Sequence, residues 1–458
     1  MPGFHYAPRS NSAAPAVVSS AYAYALSLVA AISGLLFGFD IAVINGAILF
    51  LRRQFQLSEI QTEFAASALL IGCVVGASVA GVLSDRFGRR WILILSAVLF
   101  ALSSLGAALP RTLTEFTVAR FLGGIAIGVA SVLAPVYIAE ISPPRIRGRL
   151  VSLNQMAIVS GILLAYLVNW LLASLGESSW RWMFASAAVP SLGFLLALLF
   201  VPESPRWLVE RAEEAEALRI LTRVGGAEHA AREIVEIRET IAQESGSVLE
   251  LFRPGLRKAL LIAVVMAVLQ QITGINTVLF YGSIIFKEHA GNADSAAIAA
   301  NVMVGITNVL ATIVALWLID KLGRKALLIV SALGMCLAEI ALGVAFRVQP
   351  IPTNLILGIV LFCTGSFAVG MGPGVWVLMS ELFPTRIRGS AMSIATVSLW
   401  CACVALTFTF LSLVKAITVS GAFWLYATMC LTTVLFVWRV TPETKGRSLE
   451  EIEKLWRR

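Results

Sequence analysis

About twelve apolar runs, each long enough to cross a bilayer as a helix, occupy most of this 458-residue chain. They lie near residues 21–51, 61–84, 91–110, 115–139, 150–175, 182–201, 258–287, 295–319, 325–346, 353–380, 389–414 and 419–438. Hydrocarbon offers no hydrogen bonds, so a run of that length must satisfy its backbone within itself, as a helix does. A soluble domain does not reach 58% hydrophobic and 14% charged residues with a mean hydropathy of +0.86. The expectation is an all-α, multi-pass membrane protein.

The net charge of +8 is explained by loop topology rather than by nucleic acid. Arg86, Arg89 and Arg90, then Arg145, Arg147 and Arg149, then Lys321, Arg324 and Lys325, then Arg386 and Arg388 all fall in loops on one side. The opposite loops carry Arg52, Arg53, Lys287 and Lys415. The positive-inside rule puts the basic loops and both termini in the cytoplasm. The first run is too long for a secretory signal and stays as a span. No Asn-x-Ser/Thr sequon occurs and the exterior loops are short, which fits a bacterial inner membrane. All six cysteines lie within apolar runs and read as buried packing residues. The three histidines form no metal-ligand spacing, so no metal, cofactor or enzymatic centre is expected.

Three motifs recur in one order. Asp85-Arg86-Phe-Gly88-Arg89-Arg90 returns as Asp320-Lys321-Leu-Gly323-Arg324-Lys325. Glu140-Ile-Ser-Pro-Pro-Arg145-Ile-Arg147-Gly148 returns as Glu381-Leu-Phe-Pro-Thr-Arg386-Ile-Arg388-Gly389. Pro202-Glu203-Ser204 returns as Pro442-Glu443-Thr444. The offsets are 235, 241 and 240 residues, from 320 − 85, 386 − 145 and 442 − 202. The chain therefore divides into a tail (1–20), a six-helix half (21–202), a charged linker of short amphipathic helices (203–257), a second six-helix half (258–440) and a tail (441–458). Two parallel halves of this kind are the plan of the major facilitator fold, whose solute site lies between the halves at the membrane midplane.

Asp40 sits inside the first run, in Gly34-Leu-Leu-Phe-Gly-Phe-Asp40-Ile-Ala-Val-Ile-Asn-Gly46. A carboxylate in hydrocarbon is costly, so it faces protein or water near a partner, and Arg120 is a candidate. Two readings stay open: an acid that carries a proton with a solute, or a structural ion pair that fixes two helices.

Asp85-Arg86-Phe-Gly-Arg89-Arg90, Pro202-Glu203-Ser204-Pro205-Arg206-Trp207-Leu208, Gln270-Gln271-Ile-Thr-Gly274-Ile-Asn276, Gly372-Pro373-Gly374-Val-Trp376 and Pro442-Glu443-Thr444-Lys445-Gly446 together resemble the sugar porter family of the major facilitator superfamily. The likeness runs from about Ser33 to Trp456. It implies a monosaccharide or polyol carrier, in a family that includes bacterial proton–sugar symporters and animal glucose facilitators. The family's sugar-contacting amides fall at Gln155, Gln270, Gln271, Asn276 and Asn308. Its pocket tryptophan falls at Trp376, and Phe37 and Trp400 match pocket-lining aromatics. Amides suit neighbouring hydroxyls because each both donates and accepts. The same amides could instead serve as interhelical bonds. Gln271 and Asn276 are five residues apart, about 140° around a regular helix. They converge only if the helix is distorted, and Gly274 allows that. Gly370-Met-Gly372-Pro373-Gly374 marks a second break, either a static kink or a hinge.

The resemblance places the symporters' aspartate at Asp40 and its arginine partner at Arg120. Ile162 stands where pentose-selective relatives carry glutamine, and Leu399 and Cys403 replace amides of some relatives, which favours a hexose. Asp85, Arg89, Arg90, Glu140, Arg147 and Glu203 form one cytoplasmic charge set. Asp320, Arg324, Lys325, Glu381, Arg388 and Glu443 form its counterpart. These sets read either as topology with exposed pairs or, by resemblance, as a gate that closes the cytoplasmic side. The expected function is alternating-access transport of a monosaccharide with protons, by a monomer in the lipid bilayer of the cell. A passive facilitator and a non-transporting sensor are the alternatives. No role is assigned to Glu339, a second acid within the ninth run.

Overall fold

The computed structural model describes residues 21–243, 248–253, 256–290, 294–348, 352–383 and 385–445. The two tails therefore lie mostly outside the described residues. Within those residues the chain is helical and contains no strand. The first half comprises α1 (Ala21–Gln54), α2 (Glu59–Phe87), α3 (Arg89–Ala108), α4 (Leu113–Ile141), α5 (Arg147–Leu172), α6 (Ser179–Ser186) and α7 (Ala188–Leu198). The linker carries α8 (Pro205–Glu210), α9 (Glu214–Gly225) and α10 (Ala227–Gln243). The second half comprises α11 (Leu256–Ile272), α12 (Ile275–Ala290), α13 (Asp294–Leu322), α14 (Arg324–Ala345), α15 (Thr353–Ser366), a π-turn (Phe367–Met371), α16 (Gly372–Glu381) and α17 (Thr385–Arg439).

Eleven continuous stretches are long and apolar enough to span a membrane. The last of them covers 53 residues and holds two spans, separated only at Thr418, whose φ is 69°. That gives the twelve spans of a major facilitator fold. Three spans are interrupted, each for a local reason. Pro190 cannot donate its backbone hydrogen bond and its ring opposes the carbonyl four residues earlier, at Ser186, where α6 ends. Gly274, at φ 84°, separates α11 from α12. The π-turn precedes Gly372-Pro373, where the proline again removes a donor.

Helices within the first half approach almost to backbone contact. A Cβ at Gly38 would lie 1.9 Å from the Ile158 carbonyl, and one at Gly124 would lie 1.8 Å from that of Leu69. Small residues let membrane helices gain dispersion contacts that lipid cannot supply. The linker helices enclose a small core of Leu208, Val209, Ala217 and Ile220. They dock on the first half: Trp207 Nε1 donates to the Asp85 carbonyl at 3.0 Å, and Arg211 Nη2 to that of Arg86 at 2.8 Å.

The repeated charge motifs build the same clasp twice. Glu203 accepts from the backbone amides of Arg89 and Arg90 at 2.9 and 3.1 Å, capping the start of α3. Glu443 does the same for Arg324 and Lys325 at the start of α14, at 3.2 and 3.0 Å. Carboxylates suit helix N-termini because the amides there are unpaired and carry partial positive charge. Gly88 and Gly323 turn the chain at φ 94° and 88° just before each clasp. Arg89 forks onto Glu140 at 3.2 and 3.3 Å, and Arg324 onto Glu381 at 3.1 and 2.9 Å. The hydroxyls of Ser204 and Thr444 complete the two carboxylates, each at 2.5 Å. Asp85 pairs with Arg89 at 3.2 Å, and Arg90 and Lys325 donate to the carbonyls of Leu199 and Trp438.

Two members of the sets stand outside the clasps. Arg147 turns to the linker and pairs with Glu233 at 3.2 Å, because Arg89 already occupies Glu140. Arg388 donates to the Phe383 carbonyl at 3.4 Å instead of to a carboxylate. The side chain of Asp320 lies outside the described residues. The clasps thus join helices of one half, or a half to the linker. Of the cysteines, Cys401 is exposed on the outer face of α17 while the other five are buried.

Gly124→Leu should abolish folding of the first half, read as loss of monodisperse protein in detergent. Burial pushes the Glu203 carboxyl above its ordinary range despite its amide donors. For Glu443 burial also acts upward, but the amides outweigh it and hold the carboxyl below that range. A lowered carboxyl stabilises the fold above its unfolded pKa, and that contribution fades as pH falls through the folded value. Glu443→Gln should therefore lower thermal stability at neutral pH. Glu203→Gln should cost less, and the Glu443→Gln deficit should close on acidification in thermal melts.

Candidate functional site

Asp40 lies mid-way along α1 at 2% exposure, and Arg120 on α4 is fully buried. The guanidinium is held more firmly by other groups than by the carboxylate. Arg120 Nη2 donates to the Asp40 backbone carbonyl at 2.7 Å, and the guanidinium carbon lies 5.2 Å from the centre of the Phe184 ring. Nη1 reaches Asp40 Oδ1 only at 3.4 Å, longer than the 2.7–2.9 Å or so of a tight charge-assisted bond. Asp40 Oδ2 has no hydrogen-bond partner among the described residues. The arginine is thus anchored on the backbone of α1 as well as on the carboxyl.

A chain of amides crosses the second half. Gln270 Nε2 donates to the carbonyls of Met371 and Gly372, at 2.7 and 3.0 Å, at the π-turn. Gln271 Nε2 donates to Gln270 Oε1 at 3.2 Å, and Asn276 Nδ2 to Gln271 Oε1 at 2.5 Å. The left-handed turn at Gly274 brings Asn276 back onto the face of Gln271. Glu339 supports that turn from α14. It is 1% exposed, Cys430 Sγ donates to its Oε2 at 3.2 Å, and a Cβ on Gly274 would lie 2.8 Å from its Oε1. The ninth span therefore points its acid inward, at the break.

Phe37 of α1 and Trp400 of α17 meet across the halves, with ring centroids 5.5 Å apart. Trp400 Nε1 is buried with no partner among the described residues. Trp376 is half-buried on α16, one turn beyond the carbonyl of Gly372 that holds Gln270. Gln155 is half-buried on α5 and Asn308 buried on α13, two helices packed on each other across the halves. Neither is bonded to the amide chain among the described residues.

Sequence reasoning passed over a second polar group. Asn45 Nδ2 donates to the carbonyls of Val278 and Leu279 at 3.0 and 2.9 Å, and its Oδ1 accepts from the Ser283 amide at 2.8 Å. Asn301 joins it at 3.2 Å. The signal was present: an amide in the same apolar run as Asp40, five residues on.

Residues 26–456 match the family model described as sugar (and other) transporter. The chain is 40% identical over 445 residues to the arabinose-proton symporter of Bacillus subtilis (strain 168), covering 96% of each. It is 39% identical over 478 residues to the D-xylose-proton symporter of Escherichia coli (strain K12), again covering 96% of each. The partially occluded inward open conformation of the xylose transporter XylE from E. coli superposes with a TM-score of 0.84 at 36% identity, over 93% of this chain and 100% of that one. The matched family, both relatives and the superposed structure are transporters and not enzymes, and the chain belongs to the sugar (and other) transporter family.

Proposed function

We propose that the protein carries a monosaccharide across the cell membrane together with protons, by alternating access between the halves 21–202 and 258–440. The observation that carries this reading is Asp40: buried at mid-span, loosely paired, with one oxygen left unpartnered by protein. Both named relatives are proton–sugar symporters. Positive charge on the loops that hold the clasps supports placing that end, and both termini, in the cytoplasm. A bacterial inner membrane and a single chain as the working unit complete the proposal.

The sugar is met by groups of matching chemistry. Gln270 is fixed by two backbone carbonyls, so its neighbours Gln271 and Asn276 are held in line without sugar present. Their remaining donors and acceptors suit adjacent hydroxyls. Gln155 and Asn308 approach from the facing pair α5 and α13. Trp376, Phe37 and Trp400 offer ring faces to the C–H side of the sugar. Ile162, buried on α5, adds apolar surface where a further amide would favour a pentose, which supports a hexose. The duplicated clasps of Glu140, Glu203, Glu381 and Glu443 brace the helix ends, so that each half turns as one body.

Protonation of Asp40 loosens its pairing with Arg120, which stays held by the Asp40 carbonyl and the Phe184 ring, and so frees α1 to move. Proton uptake from one side therefore lowers the barrier to reorientation with sugar bound. In proteoliposomes, one pH unit should drive up to about tenfold sugar accumulation per proton. Asp40→Asn should reduce accumulation to none while retaining sugar exchange; accumulation by that variant would overturn the coupling. Unchanged uptake on dissipating the gradient in the wild type would mark a passive facilitator. Gln271→Ala should raise the half-saturation constant on the order of tenfold, and competition by unlabelled glucose, xylose and arabinose reads hexose against pentose.

A further inference from the structure

Glu63 was not among the residues that the sequence singled out, yet it is one of the most buried acids in the protein, at 1% exposure. It lies on the second turn of α2, whose start is fixed by a capping box between Ser58 and Gln61. Its carboxylate does not pair with a cation among the described residues. Instead, both oxygens cross to the other half: Oε1 accepts from the backbone amide of Ser412 and Oε2 from its hydroxyl, each at 2.7 Å. A carboxyl that takes a helix amide, here six residues before the break at Thr418, is pressed against the helix backbone itself. One residue further on, Phe64 packs edge-on against Phe408, with centroids 6.4 Å apart, and adds apolar cover on the same seam.

We infer that Glu63 is a positioning residue of the transport cycle: its clasp on Ser412 holds the outer end of the carrier shut. This rests on the transport reading and on the basic loops being cytoplasmic, which places Glu63 and Ser412 near the outer end. Other bonds between the halves lie at that end. Arg53 pairs with Asp294 at 2.7 Å and Lys415 with Glu59 at 3.6 Å, but these are exposed and of small worth. The Asn45 group holds the neighbouring seam of α1 with α12 and α13. The Glu63 clasp differs in that its acid is itself buried, at 1% exposure, although Ser412 is exposed. Opening the outer end must replace both bonds with water, since a stripped, unpaired carboxylate is not tolerated. The residue thus has two satisfied states, latched and hydrated, and no intermediate one.

The test uses a reporter cysteine at Leu49, one turn beyond Asn45 on the same face of α1, labelled with a membrane-impermeant maleimide and compared with protein lacking the reporter. Glu63→Ala should raise labelling on the order of tenfold. Glu63→Gln can still accept the Ser412 amide and donate to its hydroxyl, and should label within about twofold of wild type. Ser412→Ala, which removes only the hydroxyl, should fall between them and covers the case in which Glu63→Ala does not fold. In vesicles, Glu63→Ala should lower the outside half-saturation constant and raise the inside one, a split that simple misfolding does not produce. Equal labelling of Glu63→Ala, or of Ser412→Ala if the first is not recovered, and wild type would overturn the inference. So would Glu63→Gln labelling as fast as Glu63→Ala. A labelling shift in a wild-type background that moves no sugar would instead overturn the transport reading and leave the clasp standing.

Discussion

Hydrocarbon satisfies no hydrogen bond, and that constraint organises the structure. Wherever a span departs from regular helix, a side chain or a tight backbone turn supplies what the helix no longer can. The π-turn frees carbonyls at Met371 and Gly372, and Gln270 takes both. The turn at Gly274 is backed by Glu339. The buried acid Glu63 borrows an amide from the backbone of a helix in the other half. Gln270, Glu339 and Glu63 are placed where the regular ladder ends or where two bodies meet.

The two halves share a frame but divide the chemistry. Both carry the carboxylate cap, the forked arginine and the hydroxyl that completes it, with closely similar distances. Among the described residues, only the first half holds an acid–arginine pair at mid-span, and only the second holds the chain of amides. The repeated part is the scaffold at the helix ends. The part that departs from the repeat is the buried polar chemistry, the acid and arginine in one half and the amide chain in the other.

Much of this was legible in the residues. Run length and hydropathy mark the spans, and the repeats mark the halves, because both depend on local composition. Gly274 and Gly372-Pro373 betray the breaks, since backbone freedom and a missing donor are properties of single residues. Pairing was less legible. Arg147 belongs to the same charge set as Glu140, yet a linker glutamate far along the chain holds it. Which of several arginines wins a carboxylate depends on helix packing, and no spacing encodes that. Glu63 was hidden for another reason: standing near the start of an apolar run, it looks like an ordinary helix-end charge until the opposing helix is in place. Glu339 was visible as an intramembrane acid, but its inward direction depends on the rotation of α14 about its axis.

The grip of Gln270 on the π-turn has a mechanical consequence. One side chain ties the interruption in the seventh span to that in the tenth and hands its own oxygen to the next amide. The two interruptions are therefore a single articulated joint and not two independent kinks. Strain applied at either side of that joint is felt at the other, so a load on the amide chain reaches backbone that lies three spans along the sequence.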